Sequence, residues 1–280
     1  MSLDQSAVGY TTQSYEFKYD WKTAVLYNLG IGAQKDELEY LYEGKGPKVY
    51  PTFAVVPSFP PLIDMMGKTG GSLAQIVHGG ESIRIHRPIP PEGTLASTGT
   101  IKGLYDLRKM AQVVTTTRTT CNGELLLETE ASIIFRGEGG FGGDPPPKSD
   151  TPAPAEGAAP SWSEKQATLP EQALLYRLSG DVNPLHADPG FAAMVGFPQG
   201  PILHGLATYG FVARAIVKHA CGGDGNKLRF FSAQFRKPVW PGEAIRTDGF
   251  DLGGGKVAVR AYAADRPEPV VGNAWAEVAS

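Results

Sequence analysis

Only two cysteines occur in 280 residues, Cys121 and Cys221, far apart and without a CxxC pair. This scarcity excludes a disulfide framework and a cysteine-rich zinc site, and it fits a reducing, cytoplasmic setting. An excess of charge is also missing. With 26 Lys and Arg against 29 Asp and Glu, the formal net charge of -3 gives no basic footprint for a nucleic acid partner. No stretch approaches the ~18 apolar residues of a membrane span, and the first residues lack a basic start followed by an apolar run. No membrane partner or leader is therefore expected. The last residues, AWAEVAS, carry no SKL-type peroxisomal address. No GxGxxG follows a strand and opens a helix, and no GxxxxGK[ST] is present, so dinucleotide and P-loop chemistry are not expected. The five histidines have no third ligand at helical or turn spacing, so neither a metal site nor a cofactor is expected.

What is present suits a globular protein of about two domains: 41% of the residues are hydrophobic, enough to form a sizeable core. Asp20 as N-cap and Gly30 as stop predict a helix over WKTAVLYNLG. DELEYLYEG fits a helix or a strand. YPTFAVVPSF, from Tyr50, reads as a buried strand ended by proline, and SFPPLIDMMGKTGGSLAQ as a loop or short helix. Strand-like runs then follow around Ile76–Ile89, Thr94–Leu107, Lys109–Asn122 and Glu124–Gly137, the last two meeting at the hairpin signal Asn122-Gly123. Residues 137–160, rich in Gly and Pro, read as a linker rather than an internal loop. They separate a first unit, residues 1–136, from a second, residues 161–280. The second opens with a helix through Gln172 to Leu178. A second helix, PILHGLATYGFVARAIVKHA, precedes four more strand-like runs.

The halves look duplicated. IVHG at 76–79 matches ILHG at 202–205, and RPIPPEG at 87–93 matches KPVWPG at 237–242. His78 to Pro88 is ten positions but His204 to Pro238 is thirty-four, so this alignment predicts twenty-four extra residues, a sheet-crossing helix, in the second half only. The concave face of the first sheet would then be filled by a hydrophobic ligand or by the N-terminal segment.

Chemistry concentrates in YRLSGDVNPLHADPGFA, Tyr176–Ala192. Asp181 and His186, brought together by a turn that Pro184 restricts, can activate a water and return a proton, since imidazole titrates near neutrality. Asn183 can hold that water or a backbone group. The bland alternative is an Asx turn with a structural histidine.

This stretch resembles the motif of the MaoC-like, or hydratase 2, family of (R)-specific enoyl-CoA hydratases. The similarity extends through DWKTAVLYNLGIGA, YEG, YPTFAVVP, IVHGGE, GGFGG, PILHGLATYGF and FRKPVWPG, which look like the two-domain eukaryotic-type proteins. The resemblance implies an α+β double hot-dog fold of two antiparallel sheets. Its central helix would be complete in the C-terminal half and missing or degenerate in the N-terminal, acyl-binding half. It further implies reversible hydration of a trans-2-enoyl-CoA to a (3R)-3-hydroxyacyl-CoA in fatty-acid metabolism, with Asp181 and His186 as the dyad and Asn183 in support. The Gly205 N–H would receive the thioester oxygen, with Gly200 as a rival donor. His204 would pack or cap the helix start. Substrate contacts would come from His78 and Gly79, although HGGE stands here for the usual HGEQ, and from Phe235, otherwise a core strand residue. Arg108 and Lys109 lie near the family's basic CoA contact, or form an exposed charged turn. Dehydration of acyl groups on a carrier protein and non-catalytic acyl-thioester binding are the competing readings. The usual two-subunit unit could be mimicked within one chain, which could still form a homodimer.

Overall fold

The computed structural model describes residues 3–72, 75–148 and 150–279. Ten antiparallel strands form one continuous sheet in the order β1-β3-β4-β5-β2-β7-β10-β9-β8-β6. The first half supplies β1 (Tyr15–Tyr19), β2 (Ile76–Ile85), β3 (Gly93–Asp106), β4 (Met110–Cys121) and β5 (Glu124–Arg136). The second supplies β6 (Trp162–Gln166), β7 (Leu228–Phe235), β8 (Ile245–Gly253), β9 (Lys256–Ala263) and β10 (Val271–Val278). The halves join where β2 pairs β7, with Glu81 opposite Ala233 and Ile83 opposite Phe231. At the β4–β5 turn both Asn122 and Gly123 take positive φ, 53° and 79°, the conformation a two-residue hairpin demands.

Several local expectations hold for the expected reasons. Helix α1 (Trp21–Gly30) is capped by Asp20, whose carboxylate accepts from the Thr23 N–H at 3.0 Å. DELEYLYEG resolves as a short helix, α2 (Leu38–Leu41). In the second half α4 (Gln172–Tyr176) runs into a 3-10 turn, Arg177–Ser179, and α5 (Pro189–Met194) starts on an Asp188 cap. The long helix α6 (Gly205–Ala220) is buried on nearly every side. At ~1.5 Å per residue it spans about 24 Å across the concave face of the second sheet.

The strand expected from Tyr50 to Phe59 is instead a 3-10 turn, Pro51–Ala54, leading into helix α3 (Val55–Lys68). Its apolar run is short and proline-rich, and a buried helix of that composition has the same hydrophobic signature as a buried strand. Pro60 and Pro61 lie inside α3, making it the degenerate counterpart of α6. The end of SFPPLIDMMGKTGGSLAQ, at Leu73 and Ala74, lies outside the described residues.

Helix α3 also corrects the repeat. Both helices precede the joining strand of their half by the same interval: Lys68 to Ile76 and Ala220 to Leu228 are each eight positions. IVHG lies within β2, whereas ILHG opens α6, so the two HG pairs are not equivalent and the twenty-four-residue excess came from aligning them. The first concave face is covered by α3 together with Leu3 and Ala7 of the N-terminal segment. Leu62, Met65 and Met66 pack there against Ile101, Val113, Ile133 and Phe135.

The described residues of 137–161 form no helix or strand, but their glycine-rich start is anchored. Asp106 accepts the N–H groups of Gly140 and Gly142 at 2.9 and 2.8 Å. A Cβ on Gly139 would lie 2.5 Å from the backbone N and O of Met110, so this close approach requires glycine.

Candidate active site

The loop between α4 and α5 is held from both halves. Gln172 donates to the carbonyls of Leu29 and Gly30 at 3.1 and 2.7 Å, docking α4 on the end of α1. Arg136, at the end of β5, donates to the Val195 carbonyl at 3.2 Å. Within the loop, the Asn183 side chain accepts from the Leu185 N–H at 3.0 Å and caps the 3-10 turn Pro184–His186. The Asn183 N–H in turn donates to Asp181 Oδ1 at 3.2 Å. Asn183 thus fixes the relative placement of Asp181 and His186 through its backbone and its side chain together.

His186 is buried and its Nδ1 lies 2.8 Å from the Ile202 carbonyl. A carbonyl only accepts, so Nδ1 carries the proton and the neutral ring keeps a lone pair on Nε2. Burial lowers the His186 pKa, the Asp181 charge opposing this, so the ring stays neutral below its ordinary range. His204 lies against it, the ring centroids 3.7 Å apart and the planes at 25°. His204 Nε2 donates to the Asp181 carbonyl at 3.1 Å, and its buried Nδ1 has no partner among the described residues. Burial, and next the neighbouring His186, push the His204 pKa well down. Two stacked imidazoles are tolerable only while at least one is neutral.

The structure therefore brings together Asp181, Asn183 and His186, and adds His204, whose expected role was packing or capping. It makes no side-chain cap of α6. It holds the backbone of Asp181 and stacks on the ring of His186. The signal was a histidine immediately before the helix-opening glycine, but only the fold reveals its contacts. One donor atom each from Asp181, His186 and His204 lie within 4.8 Å of one another, the compact histidine-carboxylate cluster among the described residues.

Gly205 is the first residue of α6, so its N–H is one of the four without an intrahelical acceptor, at the positive end of the helix dipole. The rival Gly200 N–H is already used, donating to the Phe197 carbonyl at 3.1 Å. Phe235 lies directly over Gly205: a Cβ there would sit 3.3 Å from the ring. Phe235 also meets His78 edge-on at 5.5 Å, and His78 Nε2 bonds Glu81 Oε2 at 2.9 Å. Gly79 sits at a bulge where β2 slips against β5 between His78 and Gly80. Phe235, His78 and Gly79 thus extend from Gly205 toward the first half. Arg108 and Lys109 do not join this cluster; they are exposed at the β3–β4 turn, with Arg108 at φ 69°.

A cavity of about 630 Å³ lies elsewhere, beside the C-terminal half of α6. Val217 in its wall is twelve residues beyond Gly205, ~18 Å along the helix. Three ion pairs lie in its lining: Arg214 with Glu37, Lys48 with Glu39 and Lys218 with Glu164. No helix among the described residues is long and apolar enough to cross a membrane.

Comparison with known proteins agrees with this architecture. Residues 17–137 match the MFE-2 hydratase 2 N-terminal domain and residues 152–262 the MaoC like domain. Enoyl-CoA hydratase ChsH3 of Mycobacterium tuberculosis is 39% identical over 250 residues, covering 85% of this chain and 86% of that protein. Peroxisomal enoyl-CoA hydratase 2 of Arabidopsis thaliana is 37% identical over 253 residues, covering 83% and 82% respectively. A crystal structure of a MaoC-like dehydratase from Phytophthora capsici superposes with a TM-score of 0.87 at 29% identity, covering 100% of this chain and 98% of that one. By its sequence, its double hot-dog architecture and its intact loop, this chain belongs to the MaoC-like hydratase 2 family.

Proposed function

We propose that this protein adds water reversibly across the 2,3 double bond of a trans-2-enoyl-CoA, giving a (3R)-3-hydroxyacyl-CoA. The observation that carries this reading is the placement of a half-buried carboxylate and a neutral imidazole at one end of a loop, beside the open N-terminus of α6. Water attacks C3 while the Asp181/His186 pair takes one of its protons. The pair returns a proton to C2, so H and OH are both accounted for. Electron density passing to the thioester oxygen is met by the Gly205 N–H, a fixed donor in a site with little water. His186 Nε2 holds the lone pair this needs, and Asp181 offsets the burial that would otherwise make an imidazolium too costly. The two groups act as one unit.

Two unpaired cysteines support a reducing, cytoplasmic setting for this enzyme, and a homodimer is the assembly proposed, to be read by sedimentation. The test of function is incubation of the purified protein with crotonyl-CoA and with the same acyl group on acyl carrier protein. Loss of the conjugated thioester absorbance with CoA, and an R configuration in the product, are expected. Faster turnover on the carrier protein would favour the dehydratase reading. Saturable binding without turnover would mark a binding protein.

A further inference from the structure

Beyond Gly205, the path into the first half is more polar than an alkyl chain requires. Between α3 and the first sheet lies a slot with Val55, Phe59 and Leu62 on one wall, and Leu206, next to Gly205, at one end. The facing wall carries Thr115, Thr117 and Thr129, which are 1, 2 and 4% exposed. Thr115 and Thr117 share a face of β4 by the two-residue period of a strand, and Thr117 stands opposite Thr129 on β5. Among the described residues none of these three hydroxyls has a hydrogen-bond partner. Neighbouring hydroxyls do: Ser58 donates to the Ala54 carbonyl at 2.8 Å, and Ser97 pairs with Thr119 at 2.8 Å.

Glu81 completes this wall. It is 5% exposed, and one carboxylate oxygen bonds His78 Nε2 at 2.9 Å, while the other has no partner among the described residues. Burial holds its pKa up. A carboxyl group and three hydroxyls of buried residues thus line one slot without a full set of partners, and a ligand that supplies those partners gains hydrogen bonds there, because buried polar groups are ordinarily paired. The slot as it stands, about 10 Å³, has room for about one water molecule. A longer occupant must turn Phe59 and Leu62 aside and must also satisfy or strand these four groups.

We propose that the first half selects 2-enoyl-CoA substrates whose acyl chain carries a hydroxyl group, bound by Glu81 and the threonine row. The hydroxyl donates to the free Glu81 oxygen or to one threonine and accepts from another. A plain alkyl chain of the same length offers these groups no partner. This inference rests on the enoyl-CoA hydratase reading. Its location follows from Leu206, which places the slot one residue from the proposed thioester donor.

The experiment compares kcat/KM of the unmodified protein for matched 2-enoyl-CoAs of six to ten carbons, one series ending in methyl and the other in hydroxymethyl. At the chain length that reaches the threonines the hydroxylated substrate should be favoured by at least ~10-fold, since a site built around hydrogen bonds rejects the analogue that lacks them. In a Thr115→Val/Thr117→Val double variant, nearly unchanged in shape, that ratio should move toward the alkyl chain. The ratio is unaffected by loss of folded protein, which lowers both rates alike. Equal or alkyl-favouring ratios at every length, or a ratio unmoved by the double variant, would overturn the inference. Turnover of neither series would instead overturn the hydratase reading on which it stands.

Discussion

Replacing Gly205 by proline removes one N–H while leaving the helix start intact. Proline is favoured at the first helical position, where its missing donor breaks no intrahelical bond and its φ suits the turn. The residue before it must be extended, and His204 already is, at φ -56° and ψ 137°. A new Cβ would lie 3.3 Å from Phe235, so the ring must retreat by a few tenths of an ångström. Gly205→Ala introduces the same Cβ but keeps the N–H, and serves as the control. If the Gly205 N–H receives the developing oxyanion, the proline variant should lose ~10²–10³ in kcat beyond the alanine variant, or about 2.7–4 kcal/mol of transition-state stabilisation. Crotonyl-CoA hydration followed by thioester absorbance gives both rates, and thermal melts of both variants check that α6 still docks. A proline variant within about threefold of the alanine variant would refute this role for the N–H.

Other parts of the site make separate predictions. His204→Phe keeps the stacking but removes the bond to the Asp181 carbonyl; kcat should fall ~10-fold or more with little change in KM, since misplacement of the dyad affects the transition state more than binding. A fall in melting temperature with kcat unchanged would show His204 to be structural only. Because burial depresses the His186 pKa, the ring is neutral below its ordinary 6.5, and the acid limb of kcat/KM should lie below pH 6.5. For the same reason the native state binds fewer protons than the unfolded chain at His186 and His204. The stability they contribute should be present above pH 6.5 and decline as pH falls below it, measurable by urea unfolding. Gly139→Ala should destabilise the protein by about 1–3 kcal/mol through the clash with Met110, without a specific effect on KM.

The candidate catalytic loop was legible because its residues lie close together in the chain: a carboxylate, an amide and an imidazole separated by turn formers need little tertiary context to be suspected. The Asn122-Gly123 hairpin was legible for a similarly local reason. Helix α3 was not, since prolines at 57, 60 and 61 obscure helical periodicity and its exposed face includes the apolar Pro60 and Ile63. The mistaken repeat followed from that, as the HG pair in β2 took the place of the unseen helix. Strand β6, WSEKQ, is five residues long with four consecutive polar residues, so its alternating exposure leaves no hydrophobic alternation to read. His204 and Glu81 became interpretable only in three dimensions. The first acts on a loop eighteen and twenty-three positions earlier, and the second on a wall built from β4, β5 and α3.

The central claim is that Asp181 and His186 together perform hydration. The most direct measurement is the initial rate of absorbance loss with crotonyl-CoA for the unmodified protein and for Asp181→Asn, His186→Gln and the double variant. Each single change should lower kcat by ~10²–10⁴, and the double variant should be little worse than either, because the groups work as a unit. Activity retained in both single variants, with R product still formed, would contradict the account and place the chemistry elsewhere in the molecule.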